Sequence, residues 1–274
     1  MKAIEYVQKP YRRVALSQAQ KRQLSEKTKG TLRAWIVPVI VLIIWEIASR
    51  LGWVLSYQLP APTVVFEEGM TLFTEGLLVN HIGYTLFRVL VGFLIGSGVA
   101  ILLSVLLTVH PVMTDLFDPI IQGLRAIPSL AWVPLFILWM GIGESSKIAL
   151  ISLGVFFPVY LNVAASILTV DRKLVEVGEV FRFSKREKIT KILIPYTLPQ
   201  LFTGLRTGLG LGWMFVVAAE LMGASVGLGY LLVLGQNTLS PETILVSILL
   251  FLIIGKITDG FLKALERRLV FWQH

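Results

Sequence analysis

Long apolar runs are the feature that most constrains how this chain can fold. Six stretches carry few charges and are about 20 or more residues long, which is enough to cross the ~30 Å hydrocarbon core of a bilayer as helices. They cover residues 34–53, 84–109, 119–140, 147–170, 201–223 and 243–265. The sequence therefore predicts an all-α integral membrane protein with six transmembrane helices.

Composition agrees with this class and excludes several others. The chain is 55% hydrophobic and only 15% charged, whereas soluble domains carry about 25% charged residues. It has no cysteine, which excludes disulfides, thiolate metal sites and a cysteine nucleophile. The net charge of +8 lies between the apolar spans rather than along one face, which argues against nucleic acid as a partner.

The basic residues predict the orientation of the chain. Residues 1–33 hold nine Lys and Arg and residues 171–199 hold seven, whereas residues 54–83 and 224–242 hold none. Because cytoplasmic segments of membrane proteins are enriched in Lys and Arg, both termini and residues 171–199 are expected in the cytoplasm. We therefore divide the chain into a basic cytoplasmic segment, 1–33, and a transmembrane domain, 34–274.

The segment between the fourth and fifth spans is longer than a turn requires. Its sequence, LVEVGEVFRFSKREKITKILIP, covers residues 174–195. Apolar residues at helical spacing predict a first short helix, and Ser184 with Glu187 forms a capping box that starts a second. Pro195 is expected to end the second helix because proline cannot continue the hydrogen-bond ladder. Two interpretations remain open, docking to a partner protein and lying on the lipid surface.

Catalytic and cofactor motifs are absent from the sequence. Gly255-Lys256 resembles the end of a phosphate-binding loop, but Leu250 replaces the first glycine and Ile257 replaces the Ser/Thr. The three histidines are scattered without metal-ligand spacing. We therefore expect no metal site, no cofactor and no enzymatic activity in this chain.

Ionisable residues in or beside the spans are costly in lipid and usually face a partner or a cavity. The seven are Glu46, Arg88, Arg125, Arg206, Glu220, Lys256 and Asp259. The orientation places Arg88 and Glu220 near the outer leaflet, where they are a possible ion pair. Arg125 and Arg206 fall toward the cytoplasm, where they either pair with Asp259 or line an anion path. The alternative for each residue is an ion pair that only fixes helix register.

Glycines recur at four-residue spacing on two spans. Gly204, Gly208 and Gly212 share one face of the fifth span, and Gly92 and Gly96 share one face of the second. Because glycine has no side chain, such faces let a neighbouring helix approach closely. We expect these residues to serve helix packing.

Several long motifs point to a known family. They are LPAPTVV at 59–65, HIGYTLFRVLVGFLIG at 81–96, DPIIQGLRAIPSLAWVPLFILWMGIGESSK at 118–147, FFPVYLN at 156–162 and IPYTLPQLFTGLRTGLGLGWMFVVAAELMGASVGLGYL at 194–231. With them the chain resembles the permease subunits of bacterial ABC importers in the nitrate/sulfonate/taurine group. The resemblance implies a type I ABC importer permease fold with a cytoplasmic coupling helix that docks on the ATPase.

The resemblance also assigns the coupling residues. They are Val175, Glu176, Val177, Gly178, Glu179, Val180, Phe181 and Arg182. Glu176-Val177-Gly178 stands at the E-A-A positions of the family loop, and Arg182 replaces its glycine. A glycine after a helix end usually adopts a left-handed conformation, so either Arg182 bears that strain or the turn differs here.

The resemblance implies a complete importer with several subunits. Two copies of this chain form the pathway through the bacterial inner membrane, an ABC ATPase dimer binds ATP and Mg, and an extracytoplasmic binding protein delivers the substrate. The acidic segment 54–83 is a candidate contact for that protein. Pathway residues are expected to include Arg88, Arg125, Asn162, Arg206 and Glu220.

The substrate expected from the resemblance is an aliphatic sulfonate such as taurine or an alkanesulfonate. The alternatives are a nitrate, bicarbonate or thiamine-precursor importer and, from a different class, a self-sufficient secondary transporter or channel. Secondary transporters often carry inverted repeats, and this sequence shows no convincing repeat.

Overall fold

A computed structural model describes residues 36–108, 111–128 and 131–271, which form helices and connections without a strand. The predicted basic segment 1–33 lies outside the described residues. By contacts between Cα atoms the chain divides into two units, one ending at Val65 and one beginning at Phe66.

The first unit contains helix α1, of which residues 36–50 are described, and the start of α2, Pro62–Thr74. Here α1 overlaps the first predicted span. The carboxylate of Glu46 joins the two elements within the unit: it accepts hydrogen bonds from the Thr63 backbone N–H at 3.1 Å and from the Thr63 hydroxyl at 2.9 Å. Arg50, one turn further along α1, donates to the same carboxylate.

The second unit holds the remaining helices. They are α3 (Leu77–Thr108), α4 (Pro111–Ala126), α5 (Trp132–Met140), α6 (Glu144–Leu168), α7 (Arg172–Val180), α8 (Lys185–Lys188), α9 (Ile194–Leu221), α10 (Leu228–Asn237) and α11 (Pro241–Leu269). Helices α3, α6 and α11, together with the continuous run 186–221, are long and apolar enough to cross a membrane. These four coincide with the second, fourth, fifth and sixth predicted spans.

The predicted span 119–140 is not one continuous helix. Helix α4 ends at Ala126 and α5 begins at Trp132, and Ile127 and Pro128 between them are not helical. The cause is Pro128, because a proline biases the residue before it away from the helical conformation. This part of the chain therefore consists of two shorter helices.

Helix α6 lies at the centre of the second unit and packs against both α3 and α9. Both glycine faces lie against it, which is the close packing that their spacing predicts. A Cβ on Gly96 would overlap the Ser152 carbonyl, and one on Gly208 would lie 3.2 Å from the Val155 carbonyl. Val155 and Val159 of α6 and Val216 of α9 are fully buried in the resulting core.

The prediction that the second short helix ends at Pro195 is also wrong. A π-helical turn, Ile189–Leu193, connects α8 directly to α9. In this wider turn the Ile194 N–H bonds to the Ile189 carbonyl, five residues back. Pro195 then falls in the first turn of α9, where the missing N–H of proline is tolerated.

Candidate functional site

A buried polar cluster surrounds Arg88 of α3, whose side chain is completely buried. Its Nη1 donates to Glu220 Oε1 at 2.6 Å and to the Val226 carbonyl at 2.7 Å. Its Nε and Nη2 donate to the two carboxylate oxygens of Glu144, both at 2.6 Å. Arg88 and Glu220 thus form the ion pair predicted from the sequence, with Glu144 as a second partner.

The cluster also fixes the connection between α9 and α10. Glu220 accepts hydrogen bonds from the Thr85 hydroxyl at 2.9 Å and from the Gly229 N–H at 2.8 Å. Thr85 in turn accepts from the Leu228 N–H at 2.8 Å, and His81 Nδ1 accepts from the Gly227 N–H at 2.9 Å. Side chains of α3 and α9 therefore satisfy the first N–H groups of α10, which have no partner within that helix.

Glu144, Thr85 and His81 were missed as members of this cluster. Glu144 stands just before the predicted span 147–170, so it was not counted among the intramembrane charges. Thr85 and His81 lie on the same face of α3 as Arg88, at helical spacing. That spacing is visible in the sequence and was the available signal.

The other two arginines that the sequence predicts to be intramembrane, Arg125 and Arg206, differ in their partners. Arg206 of α9 donates to Asp259 of α11 through Nε at 2.9 Å and Nη2 at 3.2 Å, and approaches Glu266 at 3.5 Å. Arg125 has no carboxylate within 4 Å in the described part of the chain, and its Nη1 only approaches Gln122 Oε1 at 3.5 Å. The sequence left Arg125 and Arg206 as possible partners of Asp259, and in the structure Asp259 pairs with Arg206.

A cavity of about 860 Å³ opens between α4, α5, α6 and α9. Two of the predicted pathway residues line it, Arg125 and Asn162, whereas Arg88, Arg206 and Glu220 are not in its lining. The lining on α6 reaches from Leu153 to Ser166, about 20 Å at 1.5 Å per residue, and Thr169 just after the helix also lines the cavity.

The connection after α6 forms the two short helices that the sequence predicts. Asp171 caps α7 by accepting the Lys173 N–H at 2.9 Å. The capping box of α8 is present: the Glu187 N–H donates to the Ser184 hydroxyl at 3.3 Å, and the Ser184 N–H donates to the Glu187 carboxylate at 3.0 Å.

Arg182 bears the left-handed conformation, with φ of 53°. The Phe183 N–H bonds to the Gly178 carbonyl at 2.8 Å, and the Arg182 N–H bonds to the Glu179 carbonyl at 2.9 Å. This pair of bonds is the Schellman motif that ends many helices, with Arg182 at the position usually held by glycine. The strain is worth about 1–2 kcal/mol.

One face of α7 is apolar and exposed. Leu174, Val177 and Phe181 lie at helical spacing and are exposed, as is Val180 at 81%. Glu176 is exposed and unpaired within the described residues, whereas Glu179 pairs with Lys188 at 3.0 Å. Gly178 is buried against the π-helical turn that precedes α9. A Cβ at this position would overlap the end of the Ile192 side chain.

The near-match to a phosphate-binding loop has no loop geometry. Gly255 and Lys256 lie in the middle of α11, where the backbone N–H groups are used by the helix. Among the residues that the structure describes, no group of three His, Asp or Glu side chains is placed to hold a metal.

Comparison with known proteins identifies the family. Residues 92–271 match the model for the inner membrane component of binding-protein-dependent transport systems. A Bacillus subtilis protein named for aliphatic sulfonate transport, the permease SsuC, is 37% identical over 94% of both chains. The Escherichia coli taurine transport system permease protein TauC is 32% identical and covers 85% of this chain and 86% of its own. The nitrate import permease protein NrtB of a Synechocystis strain is 32% identical over 87% and 89%.

Two solved structures share the fold. An inward-facing MetNI methionine ABC transporter chain aligns with a TM-score of 0.55 over 69% of this chain and 95% of its own, at 22% identity. An amino acid ABC transporter chain aligns with a TM-score of 0.60 over 73% and 96%, at 15% identity. The helical architecture is therefore that of ABC importer permeases. This chain belongs to the family of inner membrane components of binding-protein-dependent transport systems, and it is a multi-pass ABC permease subunit rather than an enzyme.

Proposed function

We propose that this chain forms the pathway of an ABC importer for an aliphatic sulfonate such as taurine or an alkanesulfonate. The observation that carries the proposal is the similarity to sulfonate and taurine permeases over nearly the whole length of both chains. A cavity with one cation and a largely apolar wall is chemically compatible with a small organic anion.

The coupling segment, residues 171–199, is the proposed contact with the ATPase. Its support is the exposed apolar face of α7, defined above by Leu174, Val177, Val180 and Phe181. An apolar face that is not buried within its own chain is a typical helix-docking surface. In this proposal ATP and Mg bind to the separate ATPase dimer, and movement of α7 reaches the bilayer through the continuous helical run from Lys185 to Leu221.

The orientation follows from the charge distribution. Segment 171–199 and both termini lie in the cytoplasm, and the Arg88 cluster lies near the outer leaflet. The outer surface would then include α2 and α10, and α2 exposes Phe66, Met70 and Phe73 beside its acidic residues. We propose this surface as the contact for the extracytoplasmic binding protein, and two copies of the chain as the complete pathway.

A substrate panel tests the proposal. The permease, its ATPase and its binding protein are reconstituted in liposomes, and ATP-driven uptake of labelled taurine, butanesulfonate, nitrate and a thiamine-precursor pyrimidine is measured. We expect uptake of one or both sulfonates. Uptake of nitrate or the pyrimidine with no sulfonate uptake would overturn the substrate assignment while leaving the family unchanged.

A further inference from the structure

The exposed side of helix α11 carries a line of basic residues. Within α11, which the structure describes completely, the buried residues are Thr243, Val246, Ser247 and Leu262. At about 100° of rotation per residue, Lys256, Lys263 and Arg267 fall on one side of the helix, and all three are exposed. We call these three residues the basic stripe.

The same side of α11 is apolar in the turns before Lys256. Leu249, Leu252 and Ile253 lie in line with the basic stripe and are exposed. Because α11 is long and apolar enough to cross a membrane, these side chains are suited to contact with acyl chains. One side of the helix therefore presents apolar residues followed by cations, which is the order of the tails and the headgroup in a phospholipid.

The charge of the basic stripe is not neutralised by the described chain. Asp259 and Glu266 lie beside the stripe, but both pair with Arg206 of α9. No carboxylate of the described residues has an oxygen within 4 Å of a stripe cation. The three stripe residues and Arg206 stand against two carboxylates, which leaves a net charge of +2. Because unpaired cations are costly in a membrane, this side of α11 requires an anionic partner.

A gap in the stripe offers room for that partner. Gly260 lies between Lys256 and Lys263 on the same side of the helix and is exposed. A Cβ built on Gly260 would meet no atom within 4 Å, so the space over it is open. The two lysines are about 10 Å apart along the helix axis, and long lysine side chains from both ends can reach over the glycine. A phosphate group in the gap would contact both ammonium groups.

We propose that the basic stripe binds an anionic phospholipid, with the phosphate over Gly260 between Lys256 and Lys263. The acyl chains lie along the exposed leucine and isoleucine side chains of the preceding turns. Lys and Arg at the end of a membrane helix attract anionic lipids in this way. A second copy of the chain fits this surface less well, because a symmetric contact would place the two cationic stripes opposite each other.

Native mass spectrometry of the detergent-solubilised permease–ATPase complex tests the site, because it counts individual bound lipids. The delipidated complex is titrated with phosphatidylglycerol and, separately, with phosphatidylcholine that carries the same acyl chains. The complex should bind phosphatidylglycerol at least about tenfold more tightly, since two cations contact its headgroup. Equal affinity for the two lipids would overturn the proposal.

A competition experiment separates a lipid from a soluble anion. Glycerol phosphate has the charged group of the lipid without its acyl chains. At the same concentration as phosphatidylglycerol it should not displace the bound lipid, because the apolar contacts with α11 are missing. Effective displacement by glycerol phosphate would identify a soluble anion as the ligand and contradict the lipid site.

Variants assign the lipid to the stripe. Lys256→Gln and Lys263→Gln should each lower the affinity for phosphatidylglycerol about fivefold, the effect expected of one cation. Gly260→Leu fills the gap without a change of charge and should also lower the affinity, while leucine favours the helix more than glycine does. Arg268→Gln is the matched control, because it removes an exposed cation next to Arg267 on another side of the helix. Its affinity should equal that of the wild type.

Unchanged phosphatidylglycerol binding by the Lys256→Gln, Lys263→Gln double variant would contradict the site, as would an equal loss in Arg268→Gln. If the double variant does not assemble with the ATPase, wild-type affinity in Gly260→Leu gives the contradiction instead. A changed number of permease copies in the double variant, with unchanged lipid binding, would assign the stripe to a contact between copies and overturn the proposal.

Discussion

At the residue scale, the Arg88 cluster shows how a fully buried arginine is stabilised. Four of its five N–H donors are used by Glu144, Glu220 and the Val226 carbonyl. Two carboxylates balance Arg88 and the nearby Lys147, whose Nζ lies 3.6 Å from Glu144. Through these hydrogen bonds Arg88 joins α3 to α6, to α9 and to the connection between α9 and α10.

A double-mutant cycle tests this pairing. Arg88→Ala leaves Glu220 as an uncompensated buried charge, which should cost roughly 3–5 kcal/mol of stability. Glu220→Ala should cost less, because Arg88 keeps Glu144. The double variant should recover part of the sum, as measured by thermal denaturation of the purified complex.

Arg186→Ala, which removes an exposed cation from α8, is the control and should change stability little. Strictly additive losses for Arg88→Ala and Glu220→Ala would show that the two residues do not interact. Arg88 would then be a better candidate for an anion site than for a structural pair.

At the element scale, the turn after α7 places a residue other than glycine, Arg182, in the left-handed conformation. Arg182→Gly removes the left-handed strain and should stabilise the coupling segment by about 1 kcal/mol or leave it unchanged. Arg182→Val should be destabilising, because a β-branched residue at positive φ is a true outlier. The affinity of the purified permease for its ATPase should be highest for Arg182→Gly, intermediate for the wild type and lowest for Arg182→Val. Tighter binding by the Val variant than by the wild type would contradict the observed turn.

Charge reversal on α7 tests its coupling role. Glu176→Lys changes an exposed and unpaired side chain, so it should alter the partner surface without unfolding the protein. We expect ATPase activity to lose its dependence on substrate and binding protein. Asp115→Lys, the same reversal at an exposed residue of α4, should leave the coupling intact. Normal substrate-stimulated ATPase activity in Glu176→Lys would exclude Glu176 from the coupling.

The helices differ in how well the sequence predicts them. Helices α3, α6 and α11 follow from uninterrupted apolar runs, and the start of α8 follows from the reciprocal hydrogen bonds of Ser184 and Glu187. The effects of two prolines were harder to predict. Pro128 breaks a run that is long enough to span, whereas Pro195 is accommodated because the preceding π turn removes the need for its N–H. The same residue type thus gives opposite outcomes that depend on backbone hydrogen bonding several residues away.

The contacts of the candidate site could be predicted from the sequence only in part. The pairing of Arg88 with Glu220 follows from the predicted topology, because the start of the second span and the end of the fifth span are expected at the same depth in the membrane. The environment of Ser166 does not follow from the sequence, since a serine in a helix normally bonds to the preceding turn. Its unpaired hydroxyl is visible only when the neighbouring helices are in place.

At the scale of the whole molecule, one chain supplies one coupling segment, whereas an ABC transporter contains two ATPase subunits. We therefore expect a homodimer of this chain in the complete transporter. Mass measurement of the detergent-solubilised complex should give two copies of the permease and two of the ATPase. One copy of this chain beside a different permease would contradict the homodimer.

We expect this chain to be a passive pathway that depends on a separate ATPase. The most direct measurement compares sulfonate uptake by liposomes that contain the chain alone with uptake by liposomes that also contain the ATPase, binding protein and ATP. We expect uptake only in the complete system, and we expect that uptake to be lost when ATP is replaced by a non-hydrolysable analogue. Substrate-specific, saturable uptake by the chain alone would contradict it and would favour a self-sufficient transporter.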